Sequence, residues 1–226
     1  MSLFEIVGCT STKMMYSVGF PFLHFEQEDN FTWALKMVKG LLSSKDNMPK
    51  VIVTDRDVAL MNFVATVFPE TYTMLCFFHE GKNVRAKCIT NCRVKPKPRR
   101  DANVDKKQVR KDKEKNRDVV EKIVSAWKEL VESPMEESYA SDLLKFKEVC
   151  MPFLEFIVYV ETTVLNRKEK FVRAWTNKVL HLGCKTTNIV ESAHGVLKFF
   201  LRSSVGDLAS CWNEIDKMLV VQFGEI

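Results

Sequence analysis

No stretch of this sequence is apolar for long enough to cross a bilayer. The longest apolar run, MPFLEFIVYV at 151–160, is interrupted by Glu155 and falls far short of the roughly 20 residues a spanning helix needs, so no membrane association is expected. The opening MSLFEIVGCTSTKMM has no secretory h-region. Seven cysteines, odd in number and irregularly spaced, make no disulfide framework and, with ten methionines, predict a reducing compartment. Internal repeats are missing as well. Most of the chain also lacks an excess of positive charge. The net charge is +5, yet residues 93–117 hold twelve Lys or Arg against four Asp or Glu, which leaves the remainder slightly acidic.

What is present is 226 residues, 46% hydrophobic, enough for one sizeable domain or for a domain carrying a large insertion. The basic run RVKPKPRRDANVDKKQVRKDKEKNR suits phosphate backbones, and its KPKPRR resembles a nuclear localisation tract. Candidate DNA contacts are Lys95, Lys97, Arg99, Arg100, Lys106, Lys107, Arg110 and Lys111. A solvated linker and polar helix face is the alternative that composition leaves open.

Along the chain, the β-rich runs at 2–10 and 15–25 predict an antiparallel pair. A helix follows, with Phe31, Leu35, Val38, Leu41 and Leu42 at helical spacing and Asp29 or Asn30 placed to cap it. KVIVT is a short buried strand, 57–67 a helix, and TYTMLCF another strand. The order is β-β-α-β-α-β. Charged helices are expected near 103–132, 137–149 and 152–178, then two closing helices, the first with Val190, Ala193, Leu197 and Phe200 on one face.

Asp55 stands just past the carboxyl end of a buried strand, where open α/β sheets place ligands. It could equally cap the next helix, as could Thr54, with Asp57 complementing the dipole. Glu191, three residues after Asn188, fits either a ligand or a capping-box partner. Cys76 and His79 form a C-x2-H pair that could hold zinc or serve as a buried thiol and a hydrogen-bonded imidazole. Cys150, Cys184 and Cys211 read as core cysteines, and His194 and Lys198 follow Glu191 at successive turns.

Taken in order, LFEIVGCTSTKMMYSVGFPFLHFEQEDNFTWALKMVKGLL, VIVTDRDVALMNFVATVFPETYTMLCFFHEGKNV and TTNIVESAHGVLKFFL resemble the transposase domain of Mutator-like elements (MULE) and its plant relatives of the far-red-impaired-response type. The resemblance implies an RNase H-like α/β fold with a mixed sheet that lacks its first strand and carries an α-helical insertion domain. Its parts would be a core segment at 1–92, a basic segment and insertion at 93–180, and closing core helices at 181–226. It also implies an Asp-Asp-Glu metal site for DNA cleavage and strand transfer, using Mg2+ or Mn2+. Asp55 matches the second acid, Glu191 the third, and Cys76 with His79 the family's C-x2-H pair. The first aspartate has no counterpart after Met1, since Glu5 falls inside the following strand. Asp57 is then a helix cap or polar support. The expected protein is a truncated, catalytically inactive transposase domain that binds DNA in the nucleus and self-associates through unpaired sheet edges. The alternative is a domesticated DNA-binding or transcription-regulatory module.

Overall fold

The computed structural model describes residues 2–10, 12, 14–25, 27–42, 44, 47–93, 106–202 and 207–225, with backbone alone at 106–109, 189 and 225. The chain forms two compact units, one of residues 1–76 with 180–226 and one of residues 77–179.

The first unit begins with four short strands, β1 (Ser2–Leu3), β2 (Ile6–Cys9), β3 (Met15–Gly19) and β4 (Phe22–Leu23). These are the two expected β-rich runs, each interrupted once. β2 pairs antiparallel with β3, with a register shift between Ile6 and Val7, and β1 pairs antiparallel with β4. Between the ladders Phe4 N donates to Pro21 O at 2.9 Å, and Pro21 has no N–H with which to answer. Gly8 lies opposite Tyr16, and a Cβ there would fall inside the tyrosine ring.

Helix α1 (Glu28–Leu41) buries Ala34, Leu35 and Val38. Leu41, expected on that face, is 71% exposed. Leu42, seven residues after Leu35 and four after Val38, packs against the core instead. The N-cap is Gln27 rather than Asp29 or Asn30 and has no side-chain cap bond; Glu28 and Asp29 sit in the first turn, where the helix dipole favours them. Asn30 Nδ2 donates to Phe25 O at 2.8 Å.

Strand β5 (Val51–Thr54), helix α2 (Val58–Val67) and strand β6 (Tyr72–Leu75) follow as a β-α-β unit, with β5 and β6 parallel and in register from Val51↔Tyr72 to Thr54↔Leu75. Leu35, Phe63, Val64, Val67 and Phe68 make the core under this unit. Burial of each such side chain contributes about 1.5–3 kcal/mol. Helices α8 (Asn188–Leu201) and α9 (Leu208–Glu225) close the unit. Leu197, Ile215 and Met218 pack there with Leu3, Phe20 and Phe22, and α8 lies against β2 and β3. The architecture is mixed α/β. Among the described residues the strands make three separate two-stranded pairs rather than one sheet.

The second unit is helical: α3 (Phe77–Asn91), α4 (Lys106–Val131), α5 (Glu136–Cys150), α6 (Leu154–Tyr159), a π-helical stretch Val160–Val164, a 3-10 stretch Leu165–Lys170 and α7 (Arg173–Thr176). α4 and α5 are expected elements, whereas α3 is not anticipated by the sequence. Its inward positions are Glu80, Val84 and Cys88, a series with one strongly apolar member. The single helix expected at 152–178 is broken. Val158, Val160, Thr162, Thr163 and Val164 crowd β-branched side chains together, and Thr162 Oγ1 donates to Val158 O at 2.7 Å. Trp127 meets Phe146 edge-on and Phe171 at a tilt, both with centroids 6.0 Å apart, and Phe156 continues the cluster from Phe146 at 6.4 Å.

Of the basic residues singled out, Lys95, Lys97, Arg99 and Arg100 lie outside the described residues. Lys106 and Lys107 begin α4, their side chains not described, and Arg110 and Lys111 are exposed on it.

Candidate functional site

Two parallel neighbours in register end side by side. The residues that follow Thr54 and Leu75, Asp55 and Cys76, therefore leave the carboxyl ends of β5 and β6 together, and Cys76 N donates to Thr54 O at 2.8 Å. The chain then disposes of the acids of TDRD in different ways. Asp57 is the N-cap of α2, its carboxylate accepting from Leu60 N at 3.0 Å. Asp55 is not the cap, which corrects that alternative, and its carboxylate is exposed.

The partner of Asp55 comes from the far end of the first unit. Thr187 is the N-cap residue of α8, yet its side chain makes no cap bond to its own helix. The hydroxyl instead lies 3.3 Å from Asp55 Oδ1 and 3.2 Å from Cys76 Sγ, and Thr187 N donates to the same sulfur at 3.2 Å. One hydroxyl proton serves one acceptor at a time, and the carboxylate is the stronger of the two. Cys76 and Thr187 are buried, so the arrangement fixes the head of α8 against the ends of both strands.

Glu191 is exposed on α8, and its backbone N–H donates to Thr187 O at 2.8 Å. Asn188, the proposed cap of the capping-box alternative, is the first helical residue and Thr187 occupies the cap, so that alternative is corrected too. Residues four apart share a helix face about 6 Å apart along the axis. Glu191 thus stands one turn from the residue that binds Asp55. His194 and Lys198 continue along α8, half-buried and exposed respectively. His79 lies in the first turn of α3, in the second unit.

Glu5 sits between β1 and β2 and is only 6% exposed. Ser17 Oγ donates to its Oε1 at 3.0 Å, and Ser17 N donates to Gln222 Oε1 at 2.9 Å. Burial holds the carboxyl above its usual range, against the lowering effects of the Ser17 bond and the His194 charge on α8. Its Oε2 and the Thr54 hydroxyl, both buried, find no hydrogen-bond partner among the described residues.

Asp55 offers an exposed carboxylate beside a hydroxyl, and hard divalent cations take oxygen ligands of these kinds. Cys76 is the softer donor and already accepts from Thr187. Sequence reasoning singled out Asp55, Cys76 and Glu191 but passed over Thr187. Its available signal was a threonine at the head of a helix that carries an acid in its first turn.

Residues 1–83 match the family model of the MULE transposase domain. The matched residues include Asp55, Cys76 and His79; Glu191 and the basic run lie beyond them. The chain is also 27% identical over 236 residues to the PKS-NRPS hybrid synthetase cheA of Chaetomium globosum, an alignment that takes in 98% of this chain and 5% of that protein. The chain thus spans about one twentieth of that relative's length. The likeness to the MULE transposase domain thus runs over residues 1–83, from the first strands into α3.

Proposed function

We propose that this chain is a MULE-type transposase core with an RNase H-like fold, in which Asp55 and Glu191 hold Mg2+ or Mn2+ against a DNA backbone without cutting it. The observation that carries this reading is the Thr187 hydroxyl, which ties the head of the Glu191-bearing helix to Asp55 within residues matched to a transposase family on the Asp55 side. A bound divalent ion would supply the positive charge that activates an attacking oxygen and stabilises a leaving one. The chain's own residues would position it: Thr187 restrains Asp55 through one of its oxygens, and Glu191 offers the second carboxylate. Two carboxylates alone hold an ion weakly, so binding without cleavage is the activity this reading expects of Asp55 and Glu191.

Calorimetric titration with Mn2+ and a nicking assay on supercoiled plasmid test this. Asp55→Ala should lower Mn2+ affinity by about tenfold or more, and the intact chain should not nick. Unchanged Mn2+ affinity removes the cation site. Nicking abolished by Asp55→Ala keeps the site and overturns the inactivity.

The basic run at 93–117 favours a second reading, a domesticated DNA-binding or transcription-regulatory module in the nucleus that meets phosphates without base readout. On this reading, replacement of Lys95, Lys97, Arg99 and Arg100 by Gln lowers DNA affinity at low salt, and an unchanged affinity rejects it. Zinc at Cys76 and His79, and self-association through strand edges, belong to the same proposal. The first is tested by metal content after zinc loading, the second by sedimentation.

A further inference from the structure

The second unit holds one cation against the faces of two aromatic rings that touch each other. Tyr139 of α5 and Trp175 of α7 meet edge-to-face with centroids 4.9 Å apart. Lys168 Nζ lies 5.3 Å from the first ring and 5.2 Å from the second, within the range of cation–π attraction for both. Tyr139 is buried, and Trp175 and Lys168 are half-buried. Burial, and after it the nearby charges of Glu169 and Glu161, push the Tyr139 hydroxyl up to about 12. Glu161 is itself paired with Lys147.

We propose that Tyr139 and Trp175 form a binding site for a methylated ammonium group, with Lys168 as its resident occupant. Unmethylated lysine is a compact, strongly hydrated charge and gains least from aromatic walls, whereas a quaternary ammonium keeps the charge and sheds water more readily. The backbone that delivers Lys168 is the least regular of the unit, a π-helical stretch running into a 3-10 stretch with Arg167 at φ −127° and ψ 27°. Lys168 O accepts from Phe171 N at 3.2 Å and Val172 N at 2.8 Å, bonds that do not depend on where the Lys168 side chain lies. The ligand is an N-methylated lysine side chain or a free quaternary ammonium, which share this chemistry. The tethered Lys168 competes at high effective concentration and keeps affinity low.

The test uses the whole chain with tetramethylammonium and the neutral tert-butyl compound neopentyl alcohol, close to it in size. In the wild-type protein the Tyr139 and Trp175 ring resonances should shift with tetramethylammonium and not with the alcohol; unchanged resonances overturn the proposal. By calorimetry, Lys168→Ala should bind tetramethylammonium at least about tenfold more tightly than wild type, and Trp175→Phe in that background should weaken binding again. Absence of saturable binding to a folded Lys168→Ala chain, or equal binding of the alcohol, also overturns it. A trimethyllysine peptide that binds more tightly than choline supports a protein tail as the source, and the reverse order supports a free quaternary ammonium.

Discussion

The two units reach stability by different routes. The second packs its aromatics in succession, Phe156 against Phe146, Phe146 against Trp127 and Trp127 against Phe171, on helices that satisfy their own backbones. The first also has ring contacts in succession, Phe4 against Phe31 and Phe31 against Phe63, but sets them beside clusters around Leu35 and Phe63 and around Leu197 and Ile215 and, among the described residues, strands of two to five residues in three separate pairs. It buries oxygens of Glu5 and Thr54 without partners among the described residues, and the second unit does the same with the Thr176 hydroxyl.

The largest effect that would break this contrast is loss of a ring from the aromatic series. Phe146→Ala should destabilise the chain by about 3–5 kcal/mol in urea denaturation. Leu197→Ala removes the centre of a smaller cluster with more room to relax and should cost about 2–3 kcal/mol. If Leu197→Ala costs more than Phe146→Ala, the contrast between the units is wrong. At the site, Asp57→Ala should lower stability by about 1 kcal/mol through loss of the α2 cap, while Asp55→Asn should change it by less than about half of that. Equal losses in thermal melts would mean that the two acids share one structural role.

The smallest expected effect is one of pH. Burial raises the Glu5 pKa in the folded state, so the fold binds this proton more tightly than the unfolded chain does. Its contribution is greatest below the unfolded carboxylate pKa and is lost as pH rises through the raised folded value. Glu5→Gln should therefore flatten the stability profile through that window and gain relative to wild type above it. Urea melts across acid to neutral pH check the sign, and a wild-type stability that climbs relative to the Glu5→Gln variant as pH rises through that window contradicts it.

The order of elements in the first unit was legible because its signals are local: apolar runs with turn residues between them, Phe68-Pro69 after α2, and an aspartate ahead of a helix. Asp57 as a cap follows from such a signal. α3 escaped because Cys88 and the buried Glu80 stand where an apolar stripe would show. The break after α6 was hidden for the opposite reason: its residues are apolar enough for a helix, and β-branching interrupts it. Thr187 could not be placed from the sequence, since a threonine at a helix head ordinarily caps that helix and nothing local shows that its hydroxyl is taken by Asp55. The Tyr139 and Trp175 pair belongs to the same class, two aromatics far apart in sequence whose meeting depends on the bends between them.

Asp55 and Thr187 are 132 positions apart. For a flexible chain the entropy of closing a loop of that length is about 4 kcal/mol, more than one hydroxyl-to-carboxylate bond returns. The contact therefore cannot nucleate folding and must be among the last to form, after the elements between have ordered. Amide exchange at Thr187 should accordingly be set by the opening of this closure rather than by the fraying of one helix end. A partner or ion that grips Asp55 would then slow exchange at residue 187 without touching it, which makes that single amide a reporter of whether the chain is closed.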